Sequence, residues 1–185
     1  MSKAVLISTH PKWCNRIANG YQTIVIKKTR PKIKTPFKCY IYCTEPNTKN
    51  PWKLLEIHSS DGKIHKGNGK VIGEFICDEI FPISFYASDV SFFDTEPPFT
   101  VPGTCLTDKE IAEYLGNGKT GYGWHISDLK IYDEPKELSE FRTICKYGDD
   151  YPCHICNKAK RDSRHILYCN NTLKRPPQSW CYVEK

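Results

Sequence analysis

Six short stretches of this chain carry strand-type patterning, and only two carry the signals of a helix. Residues 3–8 (KAVLIS), 22–28 (QTIVIKK), 38–43 (KCYIYC), 69–80 (GKVIGEFICDEI), 122–132 (YGWHISDLKIY) and 179–184 (SWCYVE) are rich in β-branched and aromatic residues or alternate apolar with polar. That is the pattern of backbone lying in a half-buried sheet. A helix is expected over residues 10–20, where Pro11 fits the first turn without losing a hydrogen bond and Gly20 supplies a stop. A second is expected over 107–116, because Thr107 and Glu110 have the spacing of a capping box and Gly116 ends the segment. A short helical turn should follow Pro135, with Leu138 and Phe141. Two helices cannot cover both faces of a parallel sheet. The pattern therefore predicts an α+β, mainly β fold: a small β-barrel with two peripheral helices.

The 185 residues leave room for one domain and a small appendage, against ~100–200 residues per domain. No apolar run approaches the ~18 residues of a spanning helix, so no membrane partner is expected. The first eight residues lead straight to His10 and Pro11, without the basic and long apolar parts of a secretory leader, so a cytoplasmic location is expected. The polar segment 44–69 reads as a mobile loop inserted between strands. Cys39, Ile41 and Cys43 fall on one face of their strand, which makes both cysteines core residues in expectation, as also Cys181.

Half of the ten cysteines lie in the last quarter: Cys145, Cys153, Cys156, Cys169 and Cys181. Cys153 and Cys156 form a CxxC pair that can grip one Zn²⁺ from a tight knuckle, and Cys169 can follow as a third ligand. The fourth is Cys145 or, in the alternative, His165, four residues before Cys169. The polar segment around them lacks the apolar content to pack by itself, a situation in which a metal supplies the folding free energy. A structural zinc in a small insert over residues 145–169 is the expectation, with 1–144 and 170–185 forming the main domain. No strand-to-helix setting of the thioredoxin kind surrounds the CxxC, which argues against a redox role.

Charge is distributed unevenly. Residues 1–70 carry 14 Lys+Arg against 3 Asp+Glu, residues 71–140 carry 4 against 14, and residues 141–185 carry 9 against 4. A basic first third beside an acidic middle suits a molecule with one face for phosphate.

Residues 3–32, the strand at 69–77, the segment 122–129 and the terminal RPPQSWCYVE resemble the ASCH domain family, whose fold is PUA-like. The likeness is nearest to bacterial and phage-borne members with a cysteine-containing insert before the last strand. The resemblance implies a PUA-like barrel with a cleft beside the first helix, proposed to bind RNA or modified nucleotides, in a family that includes nucleases and an N4-acetylcytidine amidohydrolase. The family's cleft motif, Gly-x-Lys-x-x-Glu-x-Arg, falls here on Gly20, Gln22, Val25 and Lys27. Gln22 and Val25 replace residue types that act as base and nucleophile in the amidohydrolase relatives. A valine offers no nucleophile, and a glutamine cannot accept and return a proton near neutral pH. No catalytic residue is therefore assigned.

The remaining candidates for the cleft are His10, Trp13, Thr23, Trp124, His125, Ser127, Gln178 and Trp180. Aromatic rings among them can stack on a base, whereas Gln and Ser can read its polar edge. Lys27, Lys28, Arg30, Lys32 and Lys34 are candidates for phosphate contacts. Against these roles stand structural ones: Trp13 and Trp124 as core residues, and His125 as a hydrogen-bonded core histidine. His10, before Pro11 at a strand end, should be exposed. The sequence thus leaves three readings: an RNA-, DNA- or nucleotide-binding module, a nucleoside or RNA hydrolase, and a protein-interaction module of phage origin.

Overall fold

The computed structural model describes residues 3–45, 55–84, 100–143 and 172–184. The chain opens with β1 (Lys3–Thr9) and α1 (Pro11–Ala18), then β2 (Ile24–Lys27) and β3 (Phe37–Cys43). A small hairpin, β4 (Glu56–His58) and β5 (Ile64–Lys66), precedes β6 (Lys70–Cys77) and β7 (Ile80–Ile83). After the pair β8 (Thr100–Val101) and β9 (Leu106–Thr107) come α2 (Asp108–Leu115), β10 (Gly121–His125), β11 (Ser127–Glu137) and a 3-10 turn at Leu138–Glu140. The last strand is β12 (Trp180–Glu184).

Both helices sit where their end signals place them. Pro11 occupies the first turn of α1, and Gly20 follows the helix with φ of +74°, a conformation open to a residue without Cβ. At α2 the Thr107 hydroxyl accepts from the Glu110 amide at 3.1 Å, and Glu110 Oε2 accepts from the Thr107 amide at 2.8 Å. The capping box is thus complete.

The strands form a five-stranded sheet, β11-β6-β3-β1-β12, and a three-stranded sheet, β2-β10-β7. The mainly β, α+β class is as expected. Among the described residues the two sheets are separate ladders rather than one closed barrel. In the larger sheet β1 runs parallel to β3 and antiparallel to β12, so the earliest and latest strands are neighbours, with Lys3 opposite Glu184.

The period of two along a strand explains how β1 serves both faces of its sheet. Val5 and Ile7 face a core shared with Cys14, Ile17, Val25, Cys39, Ile41, Cys43, Phe75 and Trp124, whereas Ala4 and Leu6 face a second cluster with Val71, Leu138, Phe141 and Val183. Cys39 and Cys43 are fully buried, as their shared face with Ile41 implies, and Cys181 is half-buried against the second cluster. Fully burying an aliphatic or aromatic side chain stabilises by about 1.5–3 kcal/mol. Helix α2 packs separately, through Ile111 and Leu115, against Ile26.

Two further expectations are corrected. The stretch 122–132 is not one strand: the chain leaves the smaller sheet after His125 and enters the larger one at Ser127, with buried Ile126 at the crossing. Segment 44–69 is not wholly loop, since Glu56–Lys66 forms the β4–β5 hairpin and buries Leu55 and Ile57 in the main core. Asn68, itself buried, secures that segment by accepting from the Leu55 amide at 2.7 Å. The helical turn expected after Pro135 is present as the 3-10 turn Leu138–Glu140, ended by Phe141.

Candidate functional site

A cavity of about 490 Å³ opens beside α1, between the end of β1, the strand β2, helix α2 and the segment leading into β12. Its size is that of a small-molecule site. The first strand and helix contribute Ser8, Thr9, His10 and Trp13; the β2 region contributes Gln22, Val25, Ile26 and Lys27. From α2 and its approach come Leu106, Glu110, Glu113 and Tyr114, and Gln178 and Ser179 close the remaining side.

Lys27 ends β2, where the smaller sheet abuts the main core, and its side chain is only 5% exposed. Its ammonium donates to the Ser8 carbonyl at 3.2 Å and the Ser179 carbonyl at 3.5 Å. Burial lowers its pKa to about 8, although the nearby Cys39 and Cys14 sulfurs act in the opposite sense. Those thiols are themselves pushed well above their usual range by burial.

Gln22 and Thr9 are buried in the same wall. The Gln22 amide nitrogen donates to the Ile24 carbonyl at 3.1 Å, while its Oε1 has no hydrogen-bond partner among the described residues. The Thr9 hydroxyl likewise has none. Buried polar atoms are normally paired, so both are exceptions, and both are closed off from solvent although their residues line the cavity.

Of the candidate cleft residues, His10, Trp13, Gln22, Lys27 and Gln178 come together. Gly20, Thr23, Trp124, His125, Ser127 and Trp180 do not line the cavity. Gly20 turns the chain after α1, and Thr23 is exposed, its amide bonded to the Gly103 carbonyl at 2.8 Å. Trp124 is wholly buried, edge-on to Phe37 at 5.9 Å between ring centroids. His125 is half-exposed rather than core, with Nδ1 2.7 Å from Asp78 Oδ1, a bond that lowers the Asp78 pKa. The Ser127 hydroxyl donates to the Ile76 carbonyl at 3.0 Å. His10 is exposed at the rim, as expected, and Trp13 is half-buried with the Lys12 ammonium 4.5 Å from its ring centroid.

Sequence reasoning missed Glu110, Glu113 and Tyr114. Their spacing of three and four places them on one face of α2, opposite buried Ile111 and Leu115, and that periodicity was the available signal. It also missed the depth of Lys27, which shares the inward face of β2 with Val25.

The remaining basic candidates do not line the cleft. The Lys28 ammonium lies 5.1 Å from the Tyr114 ring centroid and the Arg30 guanidinium 5.7 Å from that of Tyr122. The Lys32 amide donates to the Tyr182 hydroxyl at 2.6 Å, and Trp180 Nε1 donates to the Thr29 hydroxyl at 3.0 Å. Residues 30–35, with Ile80, line a second concavity of about 720 Å³ that includes Lys34. Cys145, Cys153, Cys156, Cys169 and His165 lie outside the described residues. Among the described residues no cluster of His, Cys, Asp or Glu could hold a metal ion, and no helix is long and apolar enough to cross a membrane.

This arrangement, a mainly β fold with a cleft beside the first helix, is the ASCH-type fold. The chain is similar in structure to a tyrosine-to-phenylalanine mutant of ZmASCH from Zymomonas mobilis, with a TM-score of 0.50 over 100% of this chain and 92% of that one, at 16% identity. A serine-to-alanine mutant of the same protein gives 0.50 over 98% and 89%, at 15% identity. At that identity the likeness extends to the fold. No family model and no curated protein matches the sequence.

Proposed function

We propose that this chain is a nucleotide- or nucleic-acid-binding module of the ASCH type that binds without hydrolysing. The observation that carries the reading is the buried Lys27 ammonium in the wall of a cavity of small-molecule size, with Trp13 and Tyr114 supplying aromatic surface at the same opening and Gln178 a polar side chain. Lys28, Arg30, Lys32 and Lys34 follow directly along the chain from the cleft and would neutralise the phosphates of a polynucleotide. Turnover is not expected, because Val25 and Gln22 line the cavity where the amidohydrolase relatives carry reactive groups, and Thr23 points elsewhere.

Fluorescence anisotropy with single-stranded RNA and DNA at low salt tests the binding. Affinity should fall steeply with salt as counterions are released, and replacing Lys28 and Arg30 by Ala should weaken it and flatten the salt slope. Absence of binding to either polymer and to nucleotides would overturn the reading. Incubation with N4-acetylcytidine should yield no cytidine. The segment 145–169 is proposed to bind one structural Zn²⁺ through Cys153, Cys156 and Cys169, completed by Cys145 or His165.

A further inference from the structure

Lys27, Gln22 and Thr9 are each at least nine-tenths buried and face one cavity. An ammonium has three N–H donors, and at Lys27 two are directed to the Ser8 and Ser179 carbonyls. The third has no protein acceptor among the described residues, and none of the ion pairs there involves Lys27. Of the two carboxylates lining the cavity, Glu110 is engaged at the helix cap with the Thr107 amide and hydroxyl. A buried cation without a counter-charge is expensive to hold, and an oxyanion beside it gains a charge-assisted hydrogen bond in a setting of low dielectric.

We propose that the floor of the cleft captures the phosphate of a nucleotide on the Lys27 ammonium. The proposal rests on reading the cleft as a nucleotide site, and it adds which group of the ligand goes deepest and how binding is coupled to protons. In the free protein, burial brings Lys27 to about 8, so at pH 8.5 most of its amine is neutral. An adjacent phosphate dianion favours the charged form, and binding then takes up roughly 0.7 of a proton. The phosphate releases none at that pH, its second ionisation near ~6 being complete. The other titratable groups around Lys27 are His10, Cys14 from α1, Cys39 from β3, and Glu110, Glu113 and Tyr114 from α2. Burial pushes the Cys14, Cys39 and Tyr114 groups up, and the Thr107 amide draws Glu110 down.

Isothermal calorimetry at pH 8.5, run in two buffers of different ionisation enthalpy, tests this on the full chain. The probes are the four common nucleoside 5′-monophosphates, the corresponding nucleosides and inorganic phosphate. Monophosphates should bind at least tenfold more tightly than nucleosides and take up roughly 0.7 of a proton. Lys27→Arg, which keeps the charge but does not titrate, should bind with no uptake, and Lys27→Met should lose the preference for the phosphorylated probe. Nucleosides binding as tightly as monophosphates would overturn the proposal while leaving a nucleotide site. So would absence of uptake in the unaltered chain, or uptake that persists in Lys27→Arg and vanishes in His10→Ala. Binding of inorganic phosphate with uptake, but of no nucleotide, would support the oxyanion floor and overturn the nucleotide reading. Failure of every probe would overturn both.

Discussion

Replacing Lys27 by Met keeps much of the volume of a side chain buried against Cys14 and Cys39 and removes its charge. The shift of its pKa from 10.5 to about 8 means that holding the proton in the folded chain costs about 3 kcal/mol relative to the unfolded one. The folded chain gives that proton up from about pH 8, whereas the unfolded chain keeps it to roughly pH 10. Within this window the unfolded state binds more protons, so the Lys27 contribution makes stability rise with pH. From pH 7 to pH 9 the gain is about 1.3 kcal/mol, and the Met variant lacks it. Buried Cys14 and Cys39 act oppositely, because their thiols ionise more easily once unfolded, but both chains share that trend. The measurement is urea unfolding of both proteins at half-unit steps of pH. The stability difference should move by about 1 kcal/mol in favour of the unaltered chain between pH 7 and 9. Parallel curves, or a difference that moves the other way, would refute the assignment of Lys27 as a buried, desolvated ammonium.

Thr107→Ala removes the hydroxyl that caps α2 and should lower stability by about 1 kcal/mol, read as a shift in the urea midpoint, whereas Thr107→Ser should recover most of it. Trp124→Ala, in the core between the sheets, should cost about 3–5 kcal/mol and broaden or abolish cooperative unfolding. Elemental analysis of the purified chain should find zinc near one equivalent, reduced when Cys153 and Cys156 are both replaced by Ser; metal-free protein would overturn the proposed ligand set.

Local chemistry made some of this architecture legible in advance. The capping box at Thr107 and the pairing of Pro11 with Gly20 act within a few residues, so their outcome depended on little else. Cys39, Ile41 and Cys43 could be assigned to the interior because strand periodicity places alternate residues on one face. The crossing at Ile126 was hidden for the opposite reason. A strand that leaves one sheet and enters another keeps its β-propensity throughout, and only its long-range partners reveal the break. The hairpin at Glu56–Lys66 was obscured because three-residue strands carry too little pattern against polar neighbours. In the cleft, residue types singled out several of the cavity-lining residues, but Trp124 and Ser127 belong to strands whose exits from the site are set by tertiary packing. Lys27 was read as a cleft residue and a phosphate contact, without its burial. Its place beside Val25 on an inward face argued for burial, and its charge masked that argument.

The neighbourhood of β1 and β12 has a consequence for how the molecule is made. The Lys27 bond to Ser179 joins residues 152 positions apart, and the Ser8 hydroxyl reaches the Pro177 carbonyl at 2.6 Å, 169 positions away. During synthesis, therefore, the first strand waits with one edge bare while nearly all the rest of the chain emerges. Closing contacts so distant is slow, because chain entropy is lost before the contact rewards it. The cleft is accordingly assembled last: a nascent chain halted before Ser179 lacks one wall of the cavity and one of the two carbonyls that hold Lys27. Ligand recognition then reports on completed folding, and a bound ligand would act on the slowest-formed seam of the domain, holding β1 and β12 together.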